Sequence, residues 1–169
     1  MKETPYIRKI MIKLRDIAGD SLYWHKVADA GSLEFSQPRA VDVLASYHGK
    51  FIGMEFKLHK VKGAFALKRF RQSQYDELDR IDKSGGRALI VIGVYVDNGK
   101  HQEIYIIPFV EWHKLLEGFA GRPERIGVPI IGKSIKLNHD VFNDFRIKLS
   151  KMIDHQMATT ILNRIVGTE

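Results

Sequence analysis

The chain has 169 residues, 44% hydrophobic and 28% charged, which are the proportions of a single soluble globular domain with a sizeable core. It contains no cysteine, and this excludes a disulfide framework, a thiolate metal site and a cysteine nucleophile. A formal net charge of +7 and a pI near 9.6 favour a polyanionic partner. No apolar run approaches transmembrane length and no apolar signal region opens the sequence, so a cytoplasmic protein without a membrane partner is expected.

Thr4-Pro5 reads as an N-cap followed by proline at the first helical position. Ile7, Ile10, Met11, Leu14 and Ile17 then mark one face of a helix that Gly19-Asp20 ends. Ser21–Val27 predicts a first strand. Its Tyr23, Trp24 and His25 could stack on bases or sit on phosphates, although core packing is the commoner fate of a tryptophan.

The most informative stretch is Ala40–Leu58. Two segments rich in β-branched and aromatic residues flank Tyr47-His48-Gly49-Lys50, which predicts a β-hairpin. A two-residue His48-Gly49 turn pairs Tyr47 with Lys50 and places Asp42 opposite Glu55, with Lys57 on the same face. Val41, Val43, Ala45, Ile52, Met54 and Phe56 then share the other face, which is uniformly apolar; a bulge would break this parity. Two carboxylates so placed repel unless a cation lies between them. Lys57 could neutralise one, whereas a hard divalent cation such as Mg²⁺ would use both and keep waters for a phosphate substrate. A solvated surface cluster is the alternative.

Beyond Lys57 the chain turns basic, with His59, Lys60, Lys62, Lys68, Arg69 and Arg71 placed to neutralise a phosphate backbone. A helix is predicted from about Ala66 to Ser84 with the apolar stripe Leu67, Phe70, Leu78 and Ile81. Gln74 falls inside that stripe, so its amide needs a partner, either backbone or the Asp42–Glu55 face. Arg87–Val96 reads as a central strand covered on both faces, turned back at Asp97-Asn98-Gly99-Lys100 into a strand over Gln102–Ile107. Pro108 opens a further helix to about Leu116. Glycine- and proline-punctuated sequence follows through Leu137, and a C-terminal helical region from about 138 to 166 carries Val141, Phe142, Phe145, Leu149, Met152 and Ile153 on one face.

The spacing Pro38-Arg39-Ala40-Val41-Asp42, then Glu55-Phe56-Lys57, resembles the catalytic core of the PD-(D/E)XK nuclease superfamily. The order of elements from about Thr4 to Gly118 resembles its α/β fold, a central mixed β-sheet flanked by helices as in restriction endonucleases. RecU-type Holliday junction resolvases are the nearest likeness, through Ser73-Gln74, Ile104–Trp112 and Lys133-Ser134-Ile135. A single nuclease domain over residues 1–169 is expected, with its core at about 4–118. The resemblance implies a Mg²⁺-dependent endonuclease, with Mn²⁺ substituting, that nicks branched DNA as a homodimer. Asp42, Glu55 and the Phe56 carbonyl would hold metal and Glu3 is a candidate additional ligand; Lys57 and Gln74 would complete the catalytic set. RecU proteins carry a stalk between strands, and the turn after Tyr47 has no room for one. A restriction or repair endonuclease of the same fold, or a non-catalytic basic DNA-binding module, are the rival readings. The apolar stripe from Phe142 to Ile165 is the expected contribution to the dimer interface.

Overall fold

The structure, a computed structural model, describes residues 3–27, 41–60, 65–96, 101–120, 134–135, 140–149 and 153–168. Helix α1 (Glu3–Ala18) leads into β1 (Leu22–Lys26), and β2 (Val43–Tyr47) and β3 (Lys50–Lys60) form the hairpin. After β4 (Phe65–Ala66) come α2 (Gln72–Lys83), β5 (Arg87–Val96), β6 (His101–Pro108) and α3 (Phe109–Ala120). The chain closes with β7 (Ser134–Ile135), β8 (Arg146–Leu149) and α4 (His155–Val166). Six strands make one mixed sheet in the order β1-β2-β3-β5-β6-β8, and β4 and β7 pair separately. Only β3 and β5 run parallel, because α2 carries the chain back across the sheet between them. The Asp97–Lys100 turn lies outside the described residues, but the strands on either side pair antiparallel from Val96↔His101.

The hairpin turn is the two-residue one. His48 and Gly49 both have positive φ, at 48° and 78°, as a type I′ turn requires, and Tyr47 pairs with Lys50. From this register the two faces of β3 diverge. Ile52, Met54 and Phe56 pack with Val43 and Ala45 beneath α1 and α4, whereas Gly53, Glu55 and Lys57 face α2. β5 is divided in the same way: Leu89 and Val91 join the first layer, and Ala88, Ile90, Ile92 and Val94 join the second. Two glycines allow the helices this close. A Cβ at Gly53 would lie 2.2 Å from Ile81 of α2, and one at Gly93 would lie 2.6 Å from the Tyr6 ring of α1.

Four expectations are corrected. The ladder of β2 stops at Val43↔Met54, and the Met54 carbonyl also accepts the Asp42 N–H at 3.1 Å; this extra residue is a β-bulge. Past it the alternation is reset, so Val41 packs in the α2–α3 layer and not with Val43. Helix α2 begins at Gln72 rather than Ala66, because Phe65–Ala66 pairs with Ser134–Ile135 and Leu67–Arg69 forms a single 3₁₀ turn. Leu67 and Phe70 are nevertheless buried.

The C-terminal region is not one helical stretch either. Asp140–Phe145 is 3₁₀ and Arg146–Leu149 is an edge strand on β6; only His155–Val166 is α-helical. Finally, the apolar stripe expected at a dimer interface is consumed inside the chain. Ala158, Ile161, Leu162 and Ile165 cover the sheet beside α1, and Phe142 and Leu149 are buried as well. Cations from the sheet hold this last helix: Lys50 donates to the Val166 carbonyl at 3.4 Å and Arg87 to the Arg164 carbonyl at 3.2 Å, satisfying carbonyls that a helix end otherwise leaves open. Burial lowers the Arg87 pKa, with Asp82 acting in the opposite sense.

Candidate active site

Four polar or charged side chains are buried among the described residues, namely Asp42, Glu55, Lys57 and Gln74. Glu55, Lys57 and Gln74 meet on the sheet face that carries α2. Sequence alternation delivers Glu55 and Lys57 to that face, and the Lys57 ammonium donates to Glu55 Oε1. Gln74, in the first turn of α2, reaches the same carboxylate oxygen through Nε2. Its Oε1 accepts the Arg71 backbone N–H at 2.9 Å, the returning half of a capping box. Both partners anticipated for this amide, backbone and acidic face, are thus engaged at once. One side chain starts the helix and fixes Glu55.

Asp42 arrives by a different route. The bulge lifts it out of the ladder opposite Glu55, and its Oδ2 instead accepts the Phe56 N–H at 2.9 Å. The Asp42 carbonyl accepts from Val27 N–H at 2.9 Å, so β1 helps to hold the bulge. In an extended strand the N–H and C=O of one residue leave on the same side. The Phe56 carbonyl therefore also faces the Asp42 side of β3.

Burial makes this arrangement costly unless charges are matched. Glu55 is 0% and Lys57 8% exposed, and a lone ion at such depth would be strongly disfavoured. The Lys57–Glu55 pair and the Gln74 amide offset that cost. The Lys57 ammonium also lies 5.5 Å from the centroid of the Phe70 ring, within cation–π range. Phe70 is one of an aromatic group with Phe65, Tyr75 and Trp112. Trp112 Nε1 donates to the Tyr75 hydroxyl at 3.0 Å, and burial pushes the Tyr75 phenol up to about 12 despite that bond. The role of Phe70 as a seat for Lys57 was not foreseen. Its only sequence signal is an apolar position that fits an ordinary helix stripe.

The basic residues are placed unequally. Lys68, Arg69 and Arg71 are exposed on the segment that enters α2. Arg69 donates to the Leu58 carbonyl at 2.6 Å and stacks 5.2 Å from the Phe65 ring, which ties this segment to the end of β3. Lys60 ends β3, its side chain outside the described residues, as Lys62 is entirely. Glu3 opens α1, in the layer on the opposite face of the sheet, and its side chain is likewise outside the described residues. No cluster of three or more His, Cys, Asp or Glu side chains suited to a metal occurs among the described residues. No helix among them is long and apolar enough to cross a membrane.

The structure is thus a mixed β-sheet flanked by helices on both faces, the α/β architecture expected from the sequence. The model of the Recombination protein U family matches residues 2–158, and the chain belongs to that family. Among solved structures it is similar to Hjc, a Holliday junction resolvase of Archaeoglobus fulgidus, with 13% identity over 62% of this chain and 73% of that one and a TM-score of 0.42. It is also similar to a restriction endonuclease in complex with substrate DNA, with 14% identity over 99% of this chain and 80% of that one and a TM-score of 0.41. No curated protein matches the sequence.

Proposed function

We propose that this chain is a Holliday junction resolvase, a metal-dependent endonuclease that makes paired nicks in four-way DNA junctions, with Asp42, Glu55, Lys57 and Gln74 as its catalytic set. The observation that carries this reading is the convergence of Lys57 and Gln74 on one oxygen of Glu55, next to Phe56, whose backbone N–H holds Asp42. A solvated surface cluster would have no reason to be buried this deeply.

The donor set suits a hard divalent cation. Asp42 and Glu55 supply two carboxylates against one ammonium, and the Phe56 carbonyl faces the same side. Mg²⁺, or Mn²⁺ in its place, would be held by these groups and would supply Lewis-acid stabilisation of the phosphate and an activated water. The protein's own part is orientation. Gln74 fixes the Glu55 carboxylate through a helix terminus, and Phe56 N–H fixes Asp42. Lys57 brings positive charge to the phosphate undergoing attack, where a preorganised donor stabilises the charge that develops. Lys68, Arg69 and Arg71, with Lys60 and Lys62, would neutralise the backbone leading to it.

Two symmetric cuts need two sites, so the working unit is proposed to be a homodimer. With the C-terminal stripe buried in the chain, the interface falls to α1, where Ile12 is exposed, or to β1, the terminal strand of the sheet among the described residues. Sedimentation at micromolar concentration should show a dimer, and a monomer would remove this part of the proposal.

The decisive measurement compares a four-way junction with linear duplex of identical sequence, with and without Mg²⁺. Paired nicks in the junction are expected only with the metal, and Asp42→Asn should abolish them while junction binding survives. Near-normal turnover by that variant would remove Asp42 from the site. Equal cutting of both substrates would favour the restriction or repair type of nuclease.

A further inference from the structure

Four large hydrophobic side chains are exposed among the described residues: Ile12, Tyr23, Phe51 and Val110. Two of them fall on one cross-strand row of the sheet. Tyr23 of β1 pairs with Ser46 of β2, and Ser46 pairs with Phe51 of β3. Tyr23 is 68% and Phe51 46% exposed. Leu22 and Trp24, the neighbours of Tyr23, pack on the α1–α4 side, so alternation puts Tyr23 on the α2 side of the sheet. Phe51 shares the parity of Gly53, Glu55 and Lys57 and lies on the same side. The next row toward the site is His25, Leu44 and Gly53, with His25 exposed. Two residues beyond Gly53 on β3 comes Glu55.

α2 covers Gly53 on β3 but leaves the outer face of β1 and β2 partly open, since Ser46 and Leu44 are only half-buried. Tyr23 and Phe51 therefore stand on either side of Ser46, two strand spacings or about 10 Å apart. Val27, four residues after Tyr23, bonds the Asp42 carbonyl, so Tyr23 is about 13 Å along the strand from the carboxylates. That distance is about four stacked nucleotides at 3.4 Å each.

We infer that the Tyr23–Ser46–Phe51 row is a stacking platform for unpaired or unstacked bases of the DNA whose phosphate occupies the Asp42–Glu55–Lys57 site. The inference rests on the nuclease reading above and deepens it. Aromatic faces accept any base without reading its edge, and they are useful only where a base face is accessible. The interior of a continuous duplex hides those faces, whereas a branch point exposes them. The row would thus let a site that contacts only phosphate distinguish branched DNA from duplex. DNA is favoured over a second copy of the chain as the occupant because the row continues the face that carries the site.

The test uses the full chain, a four-way junction and a linear duplex of the same sequence, with wild type, Tyr23→Ala/Phe51→Ala and Tyr23→Phe. The alanine pair should weaken junction binding at least about ten-fold, the scale of a lost base–aromatic stack. The slope of log affinity against log salt should stay constant because no phosphate contact is lost. Duplex affinity should change much less. Tyr23→Phe, which keeps the ring, should bind the junction like wild type. Unchanged junction affinity in the folded alanine pair would overturn the inference, as would an equal loss on duplex. A change in sedimentation would do so too, by making the row a subunit contact. If the wild type fails to cut junctions at all, the nuclease reading falls first. If it cuts, Asp42→Asn is dead and the alanine pair is normal, only the platform is wrong.

Discussion

The two faces of the central sheet share the same strands and have opposite chemistry. Beneath α1 and α4 the buried core is mostly aliphatic, with Tyr6 and Phe56 as its fully buried aromatic residues and Trp24 and Tyr47 packed at its margin. Beneath α2 and α3 lie Phe65, Phe70, Tyr75, Phe109, Trp112 and Phe142, and beside them the buried polar trio Glu55, Lys57 and Gln74. β3 contributes to both, since Met54 and Phe56 go to the aliphatic side while Glu55 and Lys57 go to the other. A buried charge is tolerated where ammonium, amide and aromatic ring are already in place, and nowhere else in the described structure. The aliphatic face supplies stability, and that allows its counterpart to hold a costly cluster.

The sharpest way to break this contrast is to move a charge to the wrong side. Met54→Lys, adjacent to Glu55 but facing the aliphatic layer, would bury an ammonium without a partner at a cost of several kcal/mol. Loss of cooperative thermal unfolding is expected, and a native-like melting curve would show that the layer can admit water. By contrast Glu55→Gln keeps shape but leaves the Lys57 ammonium without its carboxylate, so melting temperature should fall less than in Met54→Lys, where Phe70 and Gln74 are not at hand, while cleavage drops by roughly 10³-fold or more. Activity and melting temperature measured together separate the two outcomes.

Gln74→Ala comes next, because it removes the hydrogen bonds to both Glu55 and Arg71. A stability loss of about 1–3 kcal/mol is expected from the unmatched groups, with cleavage lowered more than junction affinity. Equal losses in turnover and affinity would make the amide a structural cap only. Neutralising Lys60, Lys62 and Lys68 together should lower the log–log salt slope of duplex-arm binding by about 0.9 for each phosphate contact removed. An unchanged slope would place the phosphate path elsewhere.

The smallest effect concerns the aromatic support. Tyr75 is 1% exposed and its pKa is raised to about 12. A raised value means that the folded state favours the neutral phenol. That contribution is complete below the unfolded value near 10 and is lost as pH rises towards about 12, amounting to about 2–3 kcal/mol at most. Tyr75→Phe should therefore lose about 1 kcal/mol at neutral pH, through the bond from Trp112, yet close the gap with wild type above pH 10. Denaturant titrations at neutral and alkaline pH would check both halves, and a gap that does not narrow would refute the burial argument.

Much of the candidate site's arrangement on β3 was legible in the sequence, because the period of a strand is a local property. His48-Gly49 accepts positive φ, so the turn sets the register, and parity then separates Met54 and Phe56 from Glu55 and Lys57. Gln74 was conspicuous as an amide within an apolar stripe. The partners of these side chains, however, lie on other elements. The bulge at Asp42 depends on Met54 and Val27, and the parity of Val41 changes with it. Phe65–Ala66 is a strand only because Ser134–Ile135 pairs with it, and that pairing delays the start of α2 to Gln72. Arg146–Leu149 has apolar residues that suit either a helix or an edge strand, and β6 decides between them. The same holds for the stripe on α4, whose amphipathic pattern shows that a face must be buried but not against what. Sequence determined the periodicity and the chemistry available on each face. The tertiary structure decided which faces meet, because burial and long-range pairing are properties of partners that no local window contains.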